Sequence, residues 1–183
     1  MPHNTLYGIN VCDLRAEFPD APGARASLTH TPAQIVGISL HHGGIGYHGT
    51  TLRDDLLYAK AAYDWDLKLG GIGYQLMVSP SGRLFWTRNL ETWGCHTGGE
   101  NDKLLGICAM GDWRIEKPPE AMLCGLSLGL VALWRWCEGL RVVYGHQRWP
   151  HQYTACPGTE LVEAIPTILT YASWNARRYP YSG

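Results

Sequence analysis

The sequence of 183 residues lacks a dominant charge of either sign, with a formal net charge of -1 at pH 7. Without a basic field there is no general attraction to nucleic acid or to an anionic membrane, and neither is expected as a partner. Long apolar runs are also missing. The longest, Ala121 to Trp134, is interrupted by Gly125, Ser127 and Gly129. It is shorter than the roughly 20 residues of a membrane-spanning helix, so a buried core helix is expected there. No basic segment followed by an apolar one opens the chain, so a signal peptide is not expected and synthesis in the cytoplasm is. The six cysteines include no CxxC pair. With no export signal, a disulfide framework is not expected either. Cys108 falls in a strand pattern, and Cys124 and Cys137 in a helical one; all three read as small buried hydrophobes. HExxH and GxSxG are both absent, which removes the common zinc-protease and serine-hydrolase signatures.

What is present describes a globular protein. Hydrophobic residues make up 45% and charged residues 17%, a balance that supports a packed core. The length fits one domain, with no internal repeat or low-complexity linker. Residues 1–33, rich in Pro, Ala and Asp, read as a lead-in packed on a domain that occupies 34–183. Ile35 to Leu40 reads as a buried strand, and Thr51 as the cap of a helix over Leu52 to Asp66 whose inner face carries Leu52, Leu56, Ala59 and Tyr63. Tyr74 to Val78 and Leu84 to Thr87 flank Pro80-Ser81-Gly82 as a hairpin. Leu104 to Met110 is another short strand. Pro118-Pro119 opens a helix that reaches about Leu140, with Gly139 near its end. Val142 to Gly145 is a final strand, and Glu160 to Trp174 a last helix that Pro166 breaks or kinks. Strands interspersed with helices predict an α/β fold, a sheet covered by helices.

The chemistry concentrates between His146 and Gly158, where the chain reads HQRWPHQYTACPG. A histidine just past one strand and a cysteine in the loop that follows it are joined by His41, at the end of an earlier strand. Imidazole nitrogen and thiolate sulfur are zinc ligands, and three protein ligands leave a fourth position for water or substrate. His41, His146 and Cys156 are therefore the candidate ligands. His42 competes with His41, but adjacent strand residues face opposite ways, so only one enters the site. His3, His30, His48 and His151 read as surface residues. Zinc lowers the pKa of a bound water toward ~7 and polarises carbonyls, which points to a hydrolase. Such a site needs a proton-handling group and oxyanion donors; Tyr74, His96 and Thr154 are candidates.

The ordered motifs ISLHHGG (38–44), GGIGYQLMVSPSGRLFWTRN (70–89), GCHTGGEND (94–102), LLGICAMGDW (104–113), YGH (144–146) and TACPG (154–158) resemble the zinc N-acetylmuramoyl-L-alanine amidases of the phage-lysozyme and peptidoglycan-recognition-protein family. The resemblance covers roughly residues 35 to 165, and Asp13-Leu14-Arg15 with Pro19 is similar to the segment preceding the domain in some members. It implies a single domain with a central mixed sheet, flanking helices and one zinc ion in an open surface groove. It implies zinc ligands at His41, His146 and Cys156, catalytic assistance from Tyr74, and an oxyanion contact from Thr154. His96 matches a residue of the cleft wall, and Arg88 and Asn101 are candidate substrate contacts on the same wall. Trp86, Trp93, Trp113 and Trp149 are placed either in the core or against substrate.

The implied activity is hydrolysis of the amide between the muramyl lactyl group and L-alanine of peptidoglycan. The implied role is that of a phage or prophage endolysin, monomeric, made in the cytoplasm and acting on the wall after release. A non-catalytic peptidoglycan-binding module is the first alternative; members of that kind typically lack the cysteine ligand. A zinc amidase acting on soluble muropeptides is the second. The segment from His146 to Cys156 is about two residues longer than is usual in the family, which would bring His151 near the groove. The cysteine pair of many animal recognition proteins is not evident near the first helix, which argues for a bacterial or phage protein.

Overall fold

Side-chain alternation along the strands sorts the apolar residues into two layers. Leu76 and Val78 face one side of the sheet, with Ile38, Leu40, Leu105 and Ile107; Met77 faces the other, with Phe85, Cys108 and Met110. Period-two alternation of this kind demands cover on both faces. The computed structural model, which describes residues 3–21, 28–138, 140, 142–179 and 181, shows that cover. The helices α2 (Glu120–Trp136) and α3 (Thr159–Arg178) pack on each other and on the first face. Helix α1 (Leu52–Asp66) lies over the second, through Leu56, Ala59, Ala62 and Tyr63.

The sheet has seven strands: β1 (His3–Leu6), β2 (Ile9–Asp13), β3 (Gly37–His42), β4 (Leu76–Val78), β5 (Leu84–Trp86), β6 (Leu104–Ala109) and β7 (Val143–Gly145). Their order is β1-β2-β5-β4-β6-β3-β7. The pairs β1/β2 and β4/β5 are antiparallel, and β2/β5, β4/β6, β3/β6 and β3/β7 are parallel. This is the single α/β domain with a mixed central sheet that the sequence predicts.

Residues 3–13 differ from the expected lead-in lying on the domain. They form two strands of the sheet itself, and Leu6, Ile9 and Val11 enter the main core. Their partner in β5 lies more than 70 residues downstream in the register Cys12↔Phe85, and no local pattern announces such a pairing.

Local chemistry accounts for the helix ends. Thr51 Oγ1 accepts from the Asp54 N–H at 3.2 Å, and Asp54 accepts from the Thr51 N–H at 3.2 Å, a reciprocal cap that starts α1 at the predicted residue. The chain leaves through a 3-10 turn closed by Gly70 at φ 105°. Helix α3 runs unbroken through Pro166, contrary to the expected break; the proline forfeits one bond to the Val162 carbonyl while both flanking turns pack on α2. Gly139 and the side chain of His3 lie outside the described residues.

Three burial expectations are corrected. Cys124 is exposed, whereas Cys108 and Cys137 are buried. In α2 the residues that are not buried are Glu120, Ala121, Cys124, Leu128 and Arg135; Ala121, Cys124, Leu128 and Arg135 fall at helical spacing, with Leu128 still touching the core. His30 is buried, not at the surface, with Nε2 bonded to the Leu90 carbonyl at 2.7 Å. Leu52 is exposed, and the inner face of α1 carries Asp55 instead.

Asp55 is fully buried, accepts from Tyr47 Oη at 2.6 Å and pairs with Arg83 at 2.8 Å. This links the loop after β3, helix α1 and the β4–β5 turn. Arg83→Met leaves the carboxylate without its counter-charge. The expected cost is toward the lower end of ~3–5 kcal/mol, since water reaches the half-exposed Arg83 and softens the loss. Urea unfolding at neutral pH checks this; an unchanged midpoint would show the pair to be energetically idle.

Candidate metal centre

Parallel register brings the two histidine ligands together. Leu40 of β3 lies opposite Gly145 of β7, so the next residues, His41 and His146, leave neighbouring strand ends side by side. Their ring centroids are 4.5 Å apart. Cys156 returns from the following loop because Pro157 packs directly under Gly145, where an added Cβ would stand 2.7 Å from Pro157 Cδ. Gly158, at φ 91°, passes so close to the Trp113 carbonyl that a Cβ would fall 2.3 Å from its oxygen. The motifs YGH and TACPG are thus two halves of one packed corner.

The potential ligand atoms of His41, His146 and Cys156 all lie within 4.8 Å of one another, and among the described residues this is the group of His, Cys or acidic side chains so arranged. Cys156 Sγ is 3.6 Å from His41 Nδ1. A tetrahedral zinc with bonds of about 2.0–2.1 Å to nitrogen and about 2.3 Å to sulfur separates those atoms by about 3.6 Å, so the pair fits the ion. Burial and the neighbouring imidazoles hold the His41 pKa well below its usual range, and burial lowers that of His146. Both rings are accordingly neutral, the form that coordinates metals. Burial pushes the Cys156 thiol up to about 12 despite the His42 N–H that points at its sulfur from 3.4 Å. A cation among the three ligands opposes that burial cost and favours the thiolate.

His42 does not join the cluster. Its ring turns the other way, 3.4 Å from Asp112, and it gives the site only its backbone N–H. Tyr74 sits beside the cluster, its ring centroid 5.1 Å from that of His41, on the wall of a cavity of about 590 Å³ that also includes Gly43, Ile45, Tyr58, Trp65 and Cys108. Burial raises its phenol well above the usual range, so its hydroxyl stays protonated and able to donate. Thr154 is exposed next to the cysteine. Its Oγ1 accepts from the Cys156 N–H at 3.1 Å, which leaves the O–H proton free to be given outward.

The other expected substrate contacts are placed differently. His96 is buried, with Nδ1 3.2 Å from His41 Nε2 and 2.9 Å from Thr97 Oγ1. Asn101 spends its side-chain oxygen on the N–H groups of His96 and Thr97, at 3.1 and 2.8 Å. Arg88 is 2% exposed and donates to the carbonyls of Gly70, Ile72 and Trp93 at 2.8–2.9 Å while pairing with Asp20 at 2.8 Å. Its guanidinium ties loops together and presents no free face to a ligand.

Trp113 and Trp149 are buried core residues, and Trp86 and Trp93 are half-buried. His151 is exposed in the long loop. Its neighbour Gln152, which the sequence did not single out, reaches the site instead, with Oε1 3.0 Å from His146 Nε2.

A mixed sheet with two histidines and a cysteine converging at its strand ends defines an α/β domain with a candidate metal site. The family model for N-acetylmuramoyl-L-alanine amidase matches residues 31–159, and the chain belongs to that family. Among curated relatives, peptidoglycan-recognition protein LB of Drosophila melanogaster is 33% identical over 97 residues, 51% of this chain and 40% of that protein. Peptidoglycan-recognition protein SC2 of Drosophila simulans is 28% identical over 161 residues, 84% of both chains. In fold the chain is similar to the N-acetylmuramoyl-L-alanine amidase LysC of Clostridium intestinale URNW. The TM-score is 0.63 at 18% identity, covering 90% of this chain and 97% of that one.

Proposed function

We propose that the chain is a zinc-dependent N-acetylmuramoyl-L-alanine amidase that cuts peptidoglycan between the muramyl lactyl group and L-alanine. The observation that carries this reading is the convergence of His41, His146 and Cys156, with ligand atoms within 4.8 Å. Zinc, when bound there, supplies Lewis acidity toward the scissile carbonyl and acidifies water. The protein's own groups do the rest. Tyr74 offers a protonated hydroxyl beside His41, where negative charge develops on the amide oxygen. Thr154 offers a second O–H, its oxygen steadied by the Cys156 N–H. His41 and His146 stay neutral and hold position.

Retention of the cysteine ligand favours catalysis over a purely binding role. In the same proposal the enzyme is an endolysin, made in the cytoplasm and reaching the wall after release. No helix among the described residues is long and apolar enough to cross a membrane.

Digestion of purified peptidoglycan tests the reading, with and without a chelator, scored for free α-amines and for reducing sugar ends. Chelator-sensitive release of L-alanine amines without new reducing ends is expected, and polymeric wall should be cut in preference to soluble muropeptides. Expression together with a membrane-permeabilising protein should then lyse the host cell. No release of amines from a protein that still co-sediments with the wall would replace the amidase by a binding module.

A further inference from the structure

A metal-binding imidazole has one nitrogen on the ion and the other carrying a proton, and the partner of that second nitrogen decides which is which. Both histidines of the centre have such a partner, and both partners trace back to one loop, residues 93–102.

At His41, Nδ1 is the nitrogen that faces Cys156 Sγ, at 3.6 Å. Its Nε2 faces His96 Nδ1 at 3.2 Å and Thr97 Oγ1 at 3.4 Å. With Nδ1 assigned to the ion, the proton of the neutral His41 ring sits on Nε2, which has His96 Nδ1 and Thr97 Oγ1 within reach as acceptors. Thr97 Oγ1 also lies 2.9 Å from His96 Nδ1 and donates to Ser39 Oγ at 3.2 Å, so its oxygen is left to accept. The His96 ring is clamped by the backbone, since a Cβ on Gly94 or Gly106 would stand 2.5 or 2.7 Å from its Cδ2.

At His146 the logic is an amide's. Gln152 Nε2 lies 2.8 Å from the Gly98 carbonyl and 2.9 Å from the Pro150 carbonyl. Two carbonyl acceptors require the NH2 group there, which fixes the amide orientation. The oxygen, Oε1, is thereby turned on His146 Nε2 at 3.0 Å and can only accept. The proton of His146 therefore sits on Nε2, and Nδ1 is left for the ion. The loop is itself held by Asn101, which accepts from the N–H groups of His96 and Thr97.

We propose that Gln152 and His96 are positioning residues for the metal. Through them the 93–102 loop holds both imidazole ligands as their Nδ1-coordinating tautomers, and the segment between His146 and Cys156 brings Gln152 within hydrogen-bond reach of His146. This rests on the zinc site of the proposed function.

The test is the equilibrium affinity of the full chain for zinc, measured by competition with a chromophoric chelator and without substrate. Gln152→Met removes the acceptor without changing charge, and the expected loss is about 10–100-fold in affinity. Gln152→Glu keeps an acceptor for His146 but loses the donor to Gly98, and should bind zinc at least as tightly as the wild type. Gln152→Lys does the opposite, keeping a donor for Gly98 while offering His146 nothing, and should be as weak as Gln152→Met. If the residue merely tethers the loop, Lys is tolerated and Glu is not. That order, or a Gln152→Met protein within about threefold of the wild type where 10–100-fold is expected, overturns the proposal.

Cobalt loading supplies a second readout. The thiolate charge-transfer band of saturated Gln152→Met should match the wild type, since the ligands are unchanged and only their preorganisation is lost. His96→Ala should weaken zinc in the same range; since it removes a buried ring, the Gln152 series decides the matter whether or not this variant folds. Wild-type protein that binds zinc tightly but cuts no peptidoglycan would retire the amidase and leave this inference standing. Wild-type protein that binds no zinc would retire both.

Discussion

Cys156→Ser should abolish zinc retention and, with it, amide hydrolysis. A serine hydroxyl at this position stays protonated and cannot supply the anionic sulfur that completes the set with His41 and His146. The residue lies in a loop, half-buried, with its sulfur meeting only the His42 backbone and the His41 ring, so the fold should survive the change. The loss should exceed the roughly 10–100-fold that follows from disturbing a partner of a ligand, because a ligand itself is gone. Metal content after dialysis and amine release from peptidoglycan give the two readings, and circular dichroism verifies the fold. One retained zinc per chain together with a normal rate would remove Cys156 from the centre.

Arg88→Met should be among the most destabilising single changes outside the apolar core. It strands the backbone carbonyls of Ile72 and Trp93, leaves that of Gly70 with the Ala21 N–H alone, and removes the counter-charge of Asp20. Each buried polar group left unmade costs about 1–3 kcal/mol, so a loss of more than about 3 kcal/mol is expected in urea unfolding. Gly70 and Ile72 lead into Tyr74, and Trp93 leads into His96, so the catalytic wall should loosen before the sheet does. A stable Arg88→Met protein with only a raised KM would return Arg88 to the role of a substrate contact.

The contrast between Cys156 and Arg88 shows what could be read without coordinates. Ligand atoms that must meet an ion leave strong marks: a histidine near the end of one strand's pattern and another just past a second strand, with a cysteine held in a proline-glycine corner. Helix α1 was equally readable, because Thr51 and Asp54 cap each other within four residues. What escaped reading depends on distant partners. Arg88 looks like a surface cation until the three carbonyls from residues 70–93 close around it. Cys124 is apolar by type, but the phase of α2 is decided by α3 and the sheet. The strands at residues 3–13 exist only because β5 lies beside them. Gln152 is one polar residue in a loop of polar residues, and its role depends on where the Gly98 and Pro150 carbonyls stand. His30 and His96 are visible in the sequence as residues but not as buried ones.

In the proposed zinc site the three converging ligands would also make the ion a participant in the folding equilibrium. His41, His146 and Cys156 belong to pieces of chain separated by more than 100 residues, and only the assembled sheet brings them within 4.8 Å. An ion that binds this arrangement and not the open chain adds RT ln(1 + [Zn]/Kd) to the unfolding free energy, about 4 kcal/mol at a thousand times Kd. Strands β3 and β7 are thereby clamped at the end where β7 has only one neighbour. The melting temperature of the protein becomes a gauge of the free zinc around it, rising with metal and falling with chelator even when no peptidoglycan is present.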